Sequence, residues 1–124
     1  MKIAILTDSC CDLDKKTIDE LGIKVLPFTL TLGGESFREI FDKSTQEVYE
    51  MMSHTEEIPK HSQILPMTFE NAYKELFEQG YTDIISVSIN SQGSGTYNNS
   101  IMGKNDFFIN NPHAMKRVRI FNLD

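Results

Sequence analysis

The sequence predicts an α/β fold: a mostly parallel sheet with helices on both faces and a small hairpin insertion. Short apolar runs typical of buried strands alternate with helix-length segments along the 124 residues. Single glycines follow two of the predicted helices, at Gly22 and Gly80, while the pair Gly33–Gly34 offers a hairpin turn. Strands and helices that alternate in this way form parallel sheets with helices packed on them.

The first strand is predicted at Lys2–Thr7, where an apolar run ends at polar residues. Asp12 or Asp14 can cap the helix that follows, because a carboxylate accepts hydrogen bonds from the free N–H groups of a first turn. This helix runs to about Leu21, and Gly22 ends it in the left-handed conformation.

A second strand is predicted at Ile23–Leu32, with Pro27 marking an edge or a bulge because proline lacks the N–H of a ladder bond. Gly33–Gly34 then turns the chain, and Glu35–Glu39 returns as a hairpin arm. This arm interrupts the alternation of strands and helices and is the predicted insertion.

A capping box at Ser44 and Glu47 starts the next helix, which ends near Ser53 or His54. Residues 55–66 are predicted to be irregular. The remaining predicted elements are a helix capped by Thr68 and ended by Gly80, a strand at Asp83–Ile89, a glycine-containing loop at Asn90–Gly95, a helix at Thr96–Ile109 and a strand at Arg117–Phe121.

Composition excludes several classes of protein. The 12 Lys and Arg residues against 18 Asp and Glu give a net charge of −6, which argues against nucleic-acid binding. No apolar run approaches the ~20 residues of a membrane span, and polar residues come too early for a signal peptide, so we expect a cytoplasmic protein.

Cys10 and Cys11 are neighbours that cannot close a loop, and no ligand set surrounds them, so we expect no metal and no cofactor.

Three polar segments can reach the carboxyl ends of the strands, where open α/β sheets bind ligands: residues 7–9, 61–63 and 91–96. The third joins a strand to a helix N-terminus, whose free N–H groups and dipole favour an anion. Ser94 and Thr96 add hydroxyl groups, and Gly95 permits close approach of the backbone. The pattern predicts an anionic head group at these three residues.

Other interpretations of these residues stay open. Ser94 or Thr96 can simply cap the helix, and His61, which can reach the anion, can instead be an exposed neutral side chain. Asp8 is expected to hold its own loop through hydrogen bonds to backbone N–H groups.

A serine hydrolase using Ser94 is a weaker alternative. Its glycines flank Ser94 directly, whereas a nucleophile elbow needs Gly-x-Ser-x-Gly. His113 and Asp124 would complete a triad only in an unusual chain order.

The sequence resembles the DegV family of bacterial fatty-acid-binding proteins in four motifs that occur in the family's order. These motifs are Lys2–Ser9 with Asp12–Leu13, Gly33–Arg38, Pro59–Gln63 and Ser94–Tyr97. The resemblance covers essentially the whole chain.

The resemblance implies a Rossmann-like first domain of a two-domain protein that holds a long-chain fatty acid between its domains. It also implies that the protein presents the carboxylate to a fatty-acid kinase, which makes an acyl-phosphate for lipid synthesis. The family's head-group hydroxyls carry over to Ser62 and Ser94, and His61 stands where the family usually has Thr. The implied role is carriage, so no catalytic residue is expected.

We expect residues 1–124 to form a single α/β domain, equivalent to the family's N-terminal domain, with the C-terminal domain absent. Half a tunnel would leave acyl carbons in water at ~0.8 kcal/mol per CH₂, so binding is expected to be incomplete without a second domain. The alternative is a non-binding module that self-associates, since open sheet edges and apolar patches favour a homo-oligomer.

Overall fold

The structure, a computed structural model, describes residues 1–89 and 94–124. Its strands are β1 (Ile3–Asp8), β2 (Lys24–Leu26), β3 (Thr29–Leu32), β4 (Glu35–Arg38), β5 (Lys60–Ser62), β6 (Asp83–Val87) and β7 (Arg119–Leu123). Its α-helices are α1 (Lys15–Leu21), α2 (Thr45–Ser53), α3 (Pro66–Glu78) and α4 (Thr96–Asn110), and Pro112–Lys116 form a 3-10 helix. None of the described helices is both long and apolar enough to span a membrane.

The main sheet is parallel, with the strand order β2-β1-β6-β7. From β1 the chain moves through α1 to one edge of the sheet, and from β6 it moves through α4 to the other edge. Right-handed crossovers in opposite directions place their helices on opposite faces. Ile18 of α1 and Val25 of β2 accordingly line one crevice, away from the face that α3 and α4 cover. The predicted α/β fold is confirmed.

The core lies between the sheet and the pair α3 and α4. Leu6 and Ile84 on the sheet are fully buried, as are Tyr73 of α3 and Phe107 of α4. The two helices approach closely at Gly103, where a Cβ atom would lie 2.5 Å from Phe69 Cβ. The absence of a side chain at Gly103 therefore sets the distance between α3 and α4.

The small insertion is a separate antiparallel sheet with the order β4-β3-β5. Gly33 and Gly34 make its hairpin turn with φ angles of 61° and 77°, a region that favours glycine. Leu30, Leu32 and Phe37 form its own small core against α2. The predicted hairpin insertion is confirmed.

One long strand at residues 23–32 was a wrong prediction. The segment forms β2 and β3, which belong to different sheets and are separated at Pro27. The proline cannot donate to either ladder, and the next amide, that of Phe28, donates to Ser9 Oγ instead. The apolar residues of this segment are therefore divided between the core of the main sheet and the core of the small sheet.

Two predictions near β5 were also wrong. Residues 55–66 are not wholly irregular, since β5 pairs with β3, Thr31 lying opposite Lys60. The predicted cap at Thr68 lies inside α3, which begins at Pro66 after Leu65, because proline is favoured in a first turn.

Local start and stop signals elsewhere are confirmed. Asp14 Oδ1 accepts a 2.7 Å hydrogen bond from Thr17 N at the start of α1, and Gly22 ends that helix at φ 65°. Ser44 and Glu47 form the capping box of α2. The predicted loop at 90–95 lies outside the described residues except for its last two positions.

Candidate functional site

Asp8, at the carboxyl end of β1, ties two loops together. It is 3% exposed; its Oδ1 accepts a 2.9 Å bond from Cys10 N, and its Oδ2 accepts a 2.8 Å bond from Ile89 N. The predicted loop-holding role is confirmed. Both oxygens position the backbone, so the loops after β1 and β6 are held at one edge of the sheet.

A second polar network fixes His61. Ser9 Oγ accepts a 2.9 Å bond from Phe28 N and donates to Glu39 Oε2 at 3.2 Å. His61 Nε2 lies 3.2 Å from the same Glu39 oxygen, and its ring meets that of Phe28 edge-on, with centroids 5.8 Å apart. The imidazole is thus held between an aromatic ring and a carboxylate, with 47% of its side chain exposed.

Ser94 and Thr96 interact at the start of α4. Ser94 Oγ accepts a 3.2 Å bond from Thr96 N and lies 2.9 Å from Thr96 Oγ1, to which it donates. Thr96 is fully buried, so this hydrogen bond holds the Ser94 hydroxyl against the start of the helix. The N-cap residue of α4 is Gly95, which has no side-chain cap, so the interpretation of Ser94 or Thr96 as the capping residue was wrong. The Ser94 hydroxyl instead bonds the first amide of the helix from the position before the N-cap.

Gly95 is in contact with Gln63, the residue after β5. A Cβ atom at Gly95 would overlap the Gln63 side-chain oxygen, so only glycine lets that amide lie over the helix start. This contact brings the loop after β5 against the N-terminus of α4.

These elements enclose an open cleft of about 520 Å³, here called the β5–α4 cleft, within the 300–1,000 Å³ range of small-molecule sites. Its lining residues are Cys10, Phe28, His61, Gln63, Ile89, Ser94 and Gly95.

Three of the five predicted ligand residues, His61, Ser94 and Gly95, line this cleft. Thr96 lies beneath Ser94, and Ser62 is exposed between His61 and Gln63 on a strand whose side chains alternate in direction. Neither Ser62 nor Thr96 is among the lining residues, and their roles as ligand residues stay predictions.

The lining residues that were not predicted to bind the ligand are Cys10, Phe28, Gln63 and Ile89. Phe28 could not be recognised as a lining residue, because it lay within a segment that was predicted to be one continuous strand. Gln63 could have been predicted, because it follows His61 by two positions and side chains two positions apart lie on the same face of a strand.

The β5–α4 cleft contains a thiol and a helix N-terminus. Burial, and then the carboxylates of Asp8, Glu39 and Asp12, raise the pKa of Cys10 to about 11, so this thiol is protonated near neutral pH. At the N-terminus of α4 the helix dipole is positive and backbone N–H groups lack partners within the helix. An anion is therefore favoured at the start of α4.

The chemistry available at this end is binding by hydrogen-bond donors. The Ser94 hydroxyl pairs with Thr96, whereas a nucleophilic serine needs a base within hydrogen-bond distance. Among the described residues, no cluster of three or more His, Cys, Asp or Glu side chains is placed to hold a metal ion.

Comparison with known proteins identifies the family of this chain. A family model described as "Uncharacterised protein, DegV family" matches residues 2–122. A DegV domain-containing protein of Clostridium perfringens is 35% identical over 105 residues, which cover 85% of this chain and 37% of the relative. One from Staphylococcus aureus is 37% identical over 101 residues, covering 81% of this chain and 35% of the relative.

Solved structures share the fold. A DegV family protein of Thermus thermophilus, described as binding fatty acid, is 25% identical with a TM-score of 0.78, over 98% of this chain and 41% of that one. A stearic acid-binding protein of Eubacterium ventriosum is 25% identical with a TM-score of 0.84, over the same shares of 98% and 41%. The chain thus spans a little over a third of the curated relatives that it matches, and it belongs to the DegV family.

Proposed function

We propose that this chain binds the carboxylate head group of a long-chain fatty acid in the β5–α4 cleft. The observation that carries the proposal is the meeting of Ser94, His61 and the α4 N-terminus on a cleft with Phe28 and Ile89 in its wall. An anion-binding end beside apolar walls suits an amphipathic acid. The fatty-acid-binding proteins of the same fold support this ligand class.

The N-terminus of α4 orients the ligand. The carboxylate lies at the α4 end, where the Ser94 hydroxyl turns from Thr96 toward it and the α4 dipole stabilises its charge. His61 lines the same cleft and is held there by Glu39, whose Oε2 lies 3.2 Å from His61 Nε2. The first acyl carbons then contact Phe28 and Ile89 in the wall of the cleft.

We also propose that residues 1–124 correspond to the first domain of the longer relatives and hold only part of the acyl chain. The β5–α4 cleft is open, and each methylene left in water forgoes ~0.8 kcal/mol. An affinity that rises little with chain length beyond the first carbons would support this.

The test is extraction of the purified chain with organic solvent, followed by mass spectrometry, together with calorimetric titration of the delipidated chain with palmitate. We expect Ser94→Ala and His61→Ala each to weaken binding about tenfold, the usual effect of losing a hydrogen bond to a charged group. Ser53→Ala, on an exposed hydroxyl of α2 that bonds Glu50 O, is the matched control. Failure to recover an acyl chain, combined with no heat of palmitate binding, would overturn the proposal.

Ser62 is tested in the same titration. If the family's head-group hydroxyl at Ser62 also acts here, Ser62→Ala weakens palmitate binding as Ser94→Ala does. If it has no effect, the head-group donors are His61, Ser94 and the start of α4.

The last part of the proposal is that the bound carboxylate is presented to a fatty-acid kinase. The open mouth of the β5–α4 cleft supports this, because a phosphoryl donor must reach the carboxylate oxygens. Acyl-phosphate should form when a fatty-acid kinase, ATP and palmitate are mixed with the chain, and much less with Ser94→Ala. Equal product with and without the chain would refute presentation.

A further inference from the structure

Gln63 is a polar side chain of the β5–α4 cleft that has no hydrogen-bond partner among the described residues. The hydroxyl and the imidazole of the same wall are already engaged. Ser94 Oγ donates to Thr96 Oγ1, and His61 Nε2 lies 3.2 Å from a Glu39 oxygen. A carboxamide carries two N–H donors and one acceptor oxygen, so the donors of Gln63 are available to a ligand.

The backbone of Gln63 is held on both sides. Ser62, just before it, lies opposite Thr29 in the ladder between β3 and β5. Ile64, just after it, is 4% exposed, and its carbonyl oxygen accepts a 2.9 Å hydrogen bond from Asn99 Nδ2 of α4. The backbone of Gln63 is therefore fixed relative to α4, and only its side chain is free to turn.

The oxygen of the Gln63 carboxamide faces the start of α4. A Cβ atom built on Gly95 would overlap Gln63 Oε1 but would lie 3.5 Å from Gln63 Nε2. The positive end of the helix dipole favours this arrangement, because a carbonyl oxygen carries partial negative charge. The two N–H groups lie farther from the Gly95 backbone and can reach a ligand in the cleft.

We propose that Gln63 is a head-group residue, whose Nε2 amino group donates a hydrogen bond to the carboxylate of the bound fatty acid. The inference rests on the proposed function and adds a donor to it. It also gives the segment after β5 a different head-group residue from the one that the family resemblance implies. Ser62 is exposed and is not among the lining residues, whereas Gln63 lines the cleft.

A carboxylate has two oxygens to satisfy, and Gln63 supplies donors that Ser94 lacks. The Ser94 hydroxyl carries a single proton, so it serves one carboxylate oxygen. The Gln63 amino group carries two more protons beside the same helix start. Hydrogen bonds to a charged oxygen are about twice as strong as those between neutral groups. Gln63 therefore strengthens binding of the head group and not of the acyl chain.

The test is calorimetric titration of the delipidated full chain with palmitate. Gln63→Ala removes the donor and should weaken binding about tenfold. Gln63→Glu keeps the size of the side chain but replaces the amino group by a charged oxygen, so like charges should weaken binding by about another tenfold. Gln46→Glu is the matched control, because Gln46 is an exposed glutamine of α2 outside the cleft. Ser62→Ala should leave the affinity unchanged.

A second comparison separates the donor role from packing at the helix start. Gly95→Ala displaces the Gln63 carboxamide, so it should weaken palmitate binding in the parent chain. In a Gln63→Ala background there is no carboxamide to displace, and the same substitution should have little further effect. Additive losses would mean that Gly95→Ala acts through the backbone of α4, and they would contradict the proposal.

Several results would overturn the inference while the proposed function stands. In each of them Ser94→Ala still weakens palmitate binding. Gln63→Ala could bind palmitate as the parent does, or Gln63→Glu could do so, which would assign the side chain a space-filling role. Equal losses in Gln46→Glu and Gln63→Glu, or a loss in Ser62→Ala instead of Gln63→Ala, would contradict it as well. A parent chain that gives no heat of binding overturns the inference and the proposed function together. Gln63 is exposed, so urea denaturation should show every Gln63 variant to be as stable as the parent.

Discussion

Replacement of Gly103 by alanine tests the close approach of α3 and α4. A Cβ atom at Gly103 would lie 2.5 Å from Phe69 Cβ and 2.7 Å from the carbonyl oxygen of Pro66. The Pro66 oxygen is a backbone atom, so a side-chain rotation cannot relieve the overlap and the helices must separate. Overpacking of this kind costs about 1–3 kcal/mol, while the higher helix propensity of alanine returns at most about 1 kcal/mol. We expect a net loss of about 1–2 kcal/mol in the free energy of unfolding.

The measurement is urea denaturation followed by circular dichroism, with two matched variants. Asn105→Ala changes an exposed position of the same helix, where only propensity acts, and should be neutral or slightly stabilising. Gly95→Ala meets only the far end of the Gln63 side chain, which can move aside. Its stability should change by less than about 0.5 kcal/mol, while palmitate binding falls because Gln63 is displaced within the β5–α4 cleft.

A Gly103→Ala variant as stable as the parent would refute the packing argument. It would mean that α3 and α4 can part without losing the contacts of Phe69 with the core. Equal destabilisation by Gly103→Ala and Gly95→Ala would also contradict the distinction between backbone and side-chain obstacles.

Three further predictions concern buried or titrating groups. Tyr73→Phe should lower the free energy of unfolding by about 1–3 kcal/mol, since the fully buried Tyr73 hydroxyl donates to Ser86 Oγ at 2.9 Å; unchanged urea denaturation would contradict this. The pKa of Cys10 is raised from 9.0 to about 11, which lowers the fraction of reactive thiolate at pH 8. In a Cys11→Ser variant, where Cys10 is the single thiol, iodoacetamide at pH 8 should therefore alkylate the folded protein roughly 100-fold more slowly than the unfolded protein. Equal rates would show that the pKa of Cys10 is not raised by folding. Hydrogen bonds from Thr82 and then Arg119 lower the pKa of Asp83 below 3.8, so this carboxylate contributes stability above that pH which is lost as the pH falls through its folded pKa. Acid denaturation of Asp83→Asn should lack this contribution, and identical stability–pH curves for variant and parent would refute it.

Much of the fold could be predicted because its signals are local. The Asp14 cap, the capping box at Ser44 and the Gly33–Gly34 turn each depend on contacts within a few residues. Strand β5 could not be predicted, because its polar residues Lys60–Ser62 are held by ladder bonds to β3, about thirty positions away in the sequence. Nothing in its own side chains favours a strand.

The candidate site, like the fold, could be predicted from the sequence only in part. By itself the sequence determined the α/β class, the helix N-terminus at Ser94–Thr96, the polar histidine segment and the family motifs. Only the tertiary structure decided that His61, Ser94 and Phe28 line one cleft and that Ser62 lies outside its wall. The physical reason is that a cleft is made by strands and loops distant in sequence. Which side chains face it depends on register and strand alternation, which long-range pairing sets.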